Sequence, residues 1–460
     1  MKKLLLLLAV LMLASCSEDD TENLGSNLIS IEVTDLQFNQ ATLEWTRPSL
    51  AEGTVLYEVV LDNQIIVSSI TGTSFVIQNL SPETTYSGFV KALDETGQET
   101  FGEFSFTTRV IGGNTVHNGG YGLRYQFQVD NLAASNITII TGQLSINSGD
   151  ITDLSPLTDL VSIGSLKVTN TSLANLDGLE NVIISNEPKT LNIWGNDQLE
   201  NLNAITVSNS EFDWVRLEDN LALQNISGIG IAENGVLRLI RNNSITSLSG
   251  LRTGSGISFL LLNRLPNLEN ISALQSLNRI DDFEIYDANS LSSLNGLQNL
   301  TSCSSVQLIE MESLTSLEGL NGITTLDKLY LSGMPGLNSL NGLNNLTEIG
   351  MEPGNYPGDD IFILNRLNIT DLTGLTSLTL VRNIDISGCD ALTSLEGTSL
   401  TDSWNIDSDK RLRILSNPVL TDFCGLTEFV QNANLNVWVI NGNAYNPSIG
   451  QIMNPEECSQ

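Results

Sequence analysis

From residue 151 onward this chain repeats itself about every 23 residues, and that period limits its fold more than anything else in it. The unit is clearest at residues 326–349, LDKLYLSGMPGLNSLNGLNNLTEI, where apolar side chains recur at Leu326, Leu329, Leu331, Met334, Leu337, Leu340, Leu343, Leu346 and Ile349. Twelve units open at Ile151, Leu173, Leu199, Leu223, Ile245, Leu268, Leu291, Leu314, Leu337, Ile369, Leu392 and Leu420, spaced 22, 26, 24, 22, 23, 23, 23, 23, 32, 23 and 28 residues apart. A fixed period in this range means a solenoid, in which each coil buries its apolar edge against its neighbours. Such stacks mostly bind other molecules.

Each unit holds an apolar pair at alternate positions, from Leu144/Ile146 through Leu237/Leu239 and Leu329/Leu331 to Ile361/Ile363, Ile384/Ile386, Leu412/Ile414 and Val437/Val439. Period two means a strand with these residues inward, so one strand per coil builds a parallel sheet along residues 139–445. The Leu-x-x-Leu-x-Gly-Leu segment that follows supplies the opposite wall, its glycine allowing the turn. This pattern is similar to leucine-rich repeats, and more closely to the receptor L domain of growth-factor receptor ectodomains. The resemblance implies an all-β, right-handed parallel β-solenoid. It departs from animal receptors in lacking their cysteine-rich modules, so hormone binding does not carry over.

Residues between and beside the inward pairs should face outward. They include Trp194, Trp214, Arg216, Arg238, Phe259, Tyr330, Phe362, Arg411, Arg413 and Trp438. Residues 139–460 contain only 14 Lys and Arg, yet six fall among the 39 strand-face positions, where chance would place between one and two. Three of the four tryptophans of that stretch are there too. Arg and aromatic residues are enriched at binding hot spots. The expected ligand patch centres on Trp214, Arg216, Arg238 and Phe259, and its ligand is expected to be a protein or a glycan.

Upstream, residues 28–108 carry short alternating runs, ATLEWT, YEVVLDN, SFVIQNL, YSGFVKAL and FSFTT, at the spacing of a β-sandwich. With Trp45, Tyr57 and the run Leu80, Pro82, Thr84, Tyr86, this segment resembles a fibronectin type III domain. The resemblance implies a corner in which the tyrosine hydroxyl ties its strand to the preceding loop. Residues 109–138 form a Gly-rich transition in which YQFQV (125–129) is expected to be the first capping strand, and residues 446–460 form the C-terminal cap.

The N-terminus suggests an address. Lys2 and Lys3 precede an apolar run at residues 4–13, too short to span a bilayer, and residues 1–15 read as a secretory signal. Leu13, Ala14, Ser15 and Cys16 resemble a bacterial lipobox, which implies lipidation of Cys16 and a membrane anchor. Ser17, Glu18, Asp19 and Asp20 open an acidic tether at 16–27 that is similar to the surface-export signal of Bacteroidota lipoproteins. The location expected is the outer membrane, facing the exterior.

Other classes fit less well. A formal charge of −33 disfavours nucleic acid as a partner. Cys424 and Cys458 flank the last coil and could form a disulfide; Cys303 and Cys389 lie three coils apart, roughly 14 Å at about 4.8 Å per coil, beyond the reach of one. Acidic insertions at 351–360 and 401–410 contain Asp359, Asp360, Asp402, Asp407 and Asp409, which lack calcium-loop spacing and read as solvated loops. The single histidine, His117, sits in the Gly-rich stretch, with no nucleophile elbow or metal cluster elsewhere. Neither enzyme, cofactor nor metal is expected. Glycan capture for nutrition is the alternative to adhesion, and a polysaccharide-degrading β-helix enzyme ranks behind both.

Overall fold

A computed structural model describes residues 29–460 except 35, 37–38, 50, 82–83, 109–114, 210, 351–361, 402–410, 434 and 436. The lipobox, the acidic tether, Cys16 and both acidic insertions, Thr401 apart, therefore lie outside the described residues. The chain divides into two compact units between Gly113 and Asn114.

Alternation builds the first unit. In Glu99–Thr107 every second residue is buried, as one face of a half-buried strand requires. Ile31–Thr34, Ala41–Trp45 and Ser74–Ile77 form one antiparallel sheet; Gln64–Ile70, Leu56–Leu61, Thr85–Leu93 and Glu99–Thr107 form the other, in that order. Between them Leu43, Trp45, Tyr57, Val59, Val90, Phe104 and Phe106 make the core, with Trp45 edge-on to Tyr57 at 5.5 Å. The Tyr86 hydroxyl accepts a hydrogen bond from the Ser81 amide at 2.8 Å, which ties its strand to the loop before it.

The second unit is a parallel β-solenoid. Thirteen strands stack from Ile137–Asn147 to Val437–Asn441, each paired in parallel with the next. The inward pairs from Leu144/Ile146 to Leu329/Leu331 are fully buried, as are Ile386, Leu412 and Ile414, with Ile384 2% exposed. Two pairs differ from expectation by one residue. Leu329 and Leu331 stand opposite Phe362 and Leu364, so Phe362 points inward and Ile363 joins the outward column. Likewise Leu412 and Ile414 stand opposite Trp438 and Ile440, which puts Val437 and Val439 in the outward register. Both slips fall in unbroken apolar runs, IFIL and VWVI, where alternation carries no phase and a one-residue shift exchanges the faces.

The start of the stack also corrects the sequence reading. YQFQV is not a strand: Gln126–Ala134 is a helix, entered through Tyr125, with Gln128 Oε1 accepting from the Tyr125 and Arg124 amides. Val129 and Leu132, three apart, bury into the solenoid core, and Phe127 is exposed. Five alternating residues fit both periods; the following DNLAA decides for the helix. The capping strands are instead Thr115–His117 and Tyr121–Leu123, both parallel to Ile137–Asn147.

Two backbone devices recur in the coils. At the back wall, Gly178, Gly296, Gly319, Gly342 and Gly397 have φ between +105° and +117°; a Cβ at Gly296 would stand 2.4 Å from the Ile271 carbonyl oxygen. Only glycine permits both that conformation and that approach. Where each coil leaves the sheet, the chain passes through left-handed backbone at Asn170, Gly195, Asp219, Arg241, Arg264, Asp287, Glu310, Gly333, Arg366, Gly388, Ser416 and Gly442.

The next residue in each coil points inward. Asn196, Asn220 and Asn242 form a buried ladder there: the Asn220 amide side chain donates to the Ile193 carbonyl and to Asn242 Oδ1, while its own Oδ1 accepts from Asn196. Asn417 and Asn443 repeat this near the other end. Leu265, Ala288, Met311 and Met334 occupy the position in the middle coils. Cys424 and Cys458 are bonded, with Cα atoms 5.0 Å apart. Cys303 and Cys389 are buried free thiols.

Candidate functional site: the outward face of the parallel sheet

Register decides which outward residues meet. Three columns run along the face. The first reads Thr190, Trp214, Val236, Phe259, Asp282, Ser305 and Lys328. The second reads Lys167, Asn192, Arg216, Arg238, Leu261, Glu284, Gln307, Tyr330, Ile363, Asp385 and Arg413. Trp194, Glu218 and Ile240 begin the third, which continues through Asn263 and Tyr286.

Trp214, Arg216, Arg238 and Phe259 therefore share three successive strands, Phe212–Glu218, Gly230–Ile240 and Gly256–Asn263. Trp214 is 40% exposed. The Arg238 guanidinium carbon lies 5.5 Å from the centre of the Phe259 ring, a geometry in which the ring's negative face attracts the cation. Among the described residues Arg238 Nε, which is buried, has no hydrogen-bond partner.

Arg216 is a different case. Its Nε donates to Glu218 at 2.8 Å, and Arg241 reaches the same carboxylate at 2.7 Å. Residues two apart on a strand share a face, so this partner was written in the sequence. Arg216 is thus held within the patch by an acidic neighbour on its own strand. Trp194 stands beside Glu218 in the third column, partly exposed.

The remaining candidates lie farther along. Tyr330 is four strands beyond Arg238, roughly 19 Å at about 4.8 Å per strand. Arg413 is three strands further and pairs with Asp385 at 2.8 Å. Arg411 stands opposite Val437, and its amide donates to Asn383. Trp438 is 48% exposed but in register with the inward-facing Leu412, so it does not share the outward face with Arg413. The structure gathers Trp214, Arg216, Arg238 and Phe259 into one patch, with Trp194 at its edge.

An acidic residue borders this patch, at the place in the outward column that the alternation assigns it. Glu284 follows Arg238 and Leu261 in the second column, accepts from Gln307 Nε2 at 2.8 Å and from the Tyr286 hydroxyl at 3.2 Å. Burial pushes its carboxyl above the usual carboxylate range. The face thus changes from cationic to anionic across Leu261 and Phe259. Among the described residues no group of three His, Cys, Asp or Glu is placed to hold a metal ion. His117 interacts with Gly120 and Tyr121 at the N-terminal cap, away from this face in the fold order.

No protein-family model matches the chain, and no curated protein matches it. Among solved structures, a computationally redesigned β-sandwich protein is 26% identical, with 18% of this chain and 92% of that one covered and a TM-score of 0.16. A human fibronectin type III domain is 17% identical over 22% of this chain and 95% of its own, TM-score 0.17. Pectate lyase from Pectobacterium carotovorum is 8% identical over 82% and 84%, TM-score 0.15. These likenesses carry no argument about function.

Proposed function

We propose that this protein is a cell-surface binding or adhesion module, held to a membrane by a lipid on Cys16, that takes a protein or glycan ligand on the outward face of its solenoid sheet. One observation carries the reading: Arg238, its guanidinium set over the Phe259 ring, stands one strand from the exposed Trp214. A rigid sheet fixes all three, so ordering them on binding costs little conformational entropy. Glycan capture is the second reading, favoured by the exposed ring of Trp214 as a stacking platform.

Cell fractionation tests the anchor. Cys16→Ala should release the protein from membranes, and protease applied to intact cells should digest the wild type. A variant that stays with the outer membrane would refute the anchor. A glycan array and a pull-down from cell surfaces then separate the two ligand classes, and loss of the retained ligand in Trp214→Ala places it on this face.

A further inference from the structure

Beside the sheet face, where the coils turn away from it, four consecutive coils line an open groove of about 310 Å³. One wall is Asp219, Arg241, Arg264 and Asp287; the other is Leu221, Asn243, Pro266 and Asn289. Each coil contributes one residue to each wall, so the groove follows the stacking axis for three coil steps, about 14 Å. All four residues of the first wall occupy left-handed backbone, with φ between 52° and 54°. Of the other coils, four place glycine at this corner, at Gly195, Gly333, Gly388 and Gly442, and four place Asn170, Glu310, Arg366 and Ser416 there. Left-handed backbone is strained for a residue with a Cβ, which crowds the following carbonyl oxygen. Arginine has no short polar side chain to offset that cost locally, yet it holds two adjacent corners.

The polar groups here are only partly used. Arg241 is committed to Asp219 and Glu218. Arg264 is not: its one ionic contact is Nε to Asp287 Oδ2 at 3.5 Å, and its side chain is 61% exposed. Among the described residues no hydrogen bond is made by the side chain of Asn243, which is exposed. Asn289 uses only Oδ1, accepting from the Glu312 amide at 3.4 Å. Leu221, 42% exposed, and the exposed Pro266 add apolar surface between them.

We infer that this groove binds a neutral, extended oligosaccharide lying along the stack. Its two carboxylates and two guanidiniums cancel, so neither a cation nor an anion gains a net field, in a chain whose formal charge is −33. Strand backbones here are already paired on both sides, which leaves no edge for a peptide strand. A sugar chain offers hydroxyls that both donate and accept, matching carboxylate, guanidinium and amide, and ring faces that rest on Pro266 and Leu221. Hydrogen bonds to the charged members are the stronger kind. One coil step is close to the advance of one pyranose in an extended glycan. This inference rests on the groove and not on the sheet-face reading.

Calorimetric titration of the full-length protein without its signal, with cellohexaose, xylohexaose, mannohexaose and maltohexaose, tests it, with hexagalacturonate as the charged control. At least one neutral hexasaccharide should bind, and Arg264→Gly and Asn243→Ala should each weaken it about tenfold or more. Arg264→Gly should hold or raise the melting temperature, since glycine accepts φ 54° without strain; a merely structural arginine would lower it. Should that variant fold poorly, Asn243→Ala decides alone. The inference is overturned if no neutral hexasaccharide binds at millimolar concentration, if only hexagalacturonate binds, if Asn243→Ala binds like the wild type, or if Trp214→Ala abolishes binding.

Discussion

Arg216 and Glu218 lie two residues apart on one strand, and the Arg216 Nε donates to the Glu218 carboxylate at 2.8 Å. The cation at the centre of the sheet-face patch is therefore held in place rather than free. A ligand that uses Arg216 must meet its remaining fork while Glu218 keeps the side chain extended.

Arg216→Ala should weaken ligand binding by about 1–3 kcal/mol, as should Trp214→Ala. Folding stability should fall by less than about 1 kcal/mol in Arg216→Ala, because the pair is partly exposed and Glu218 retains Arg241. Affinity and chemical denaturation measured on the same variants check this. Stability losses as large as the binding losses would show that the patch is structural.

Asn220→Ala should behave in the opposite way. The side chain is fully buried, and its removal orphans the Ile193 carbonyl and the amide of Asn196. Each unmet buried group costs about 1–3 kcal/mol, so a loss of roughly 2–5 kcal/mol is expected. Urea unfolding with binding measured in parallel should find the affinity intact in the folded variant.

Thiol counting addresses the cysteines. Mature protein unfolded without reductant should show two reactive thiols, Cys303 and Cys389. In the native state neither should react at pH 8, because burial pushes Cys303 up to about 12 and Cys389 to about 11. Four thiols would exclude the Cys424–Cys458 bond. Replacing both of those cysteines should destabilise the last coil by roughly 3–4 kcal/mol.

Acid should act on two carboxyls with opposite sign. Asp94 accepts from the amides of Glu52, Thr96 and Gln98 and from the Thr96 hydroxyl, and these bonds, that of the hydroxyl foremost, hold its pKa at about 2 against an ordinary 3.8. Its contribution to the sandwich is complete above pH 3.8 and is lost as the pH falls towards 2. Asp94→Asn should flatten that acid limb. Glu284 is raised by burial, so its ionised form is the disfavoured one. Glu284→Gln should therefore gain stability relative to wild type at pH 7, and the gain should vanish below the ordinary 4.5. Melting curves from pH 2 to pH 8 check both signs.

Much of this architecture was legible because Leu, Ile and Val recur with two periods at once, 23 along the chain and two within each strand. The phase failed at Phe362 and Trp438, where neighbouring residues are all apolar and hydrophobicity cannot tell one face from the other. It failed at Phe127 for lack of length. Glu218 was readable as a partner of Arg216 from spacing alone. The contact of Arg238 with Phe259 was not, since it crosses columns and depends on side-chain direction. The buried asparagines look like ordinary loop residues until the coils are stacked.

The back-wall glycines have a mechanical consequence. On the sheet side the separation of coils is fixed by hydrogen bonds between strands. On the far side it is fixed by how nearly Gly296, Gly319 and Gly342 let one turn approach the carbonyl groups of the turn before. A side chain there would wedge that wall apart and leave the sheet side unchanged. The small angle added at each coil would then bend the stack towards the sheet, narrowing the surface that carries Trp214 and Arg238. Curvature of the front is thus governed from the back, by residues that touch no ligand.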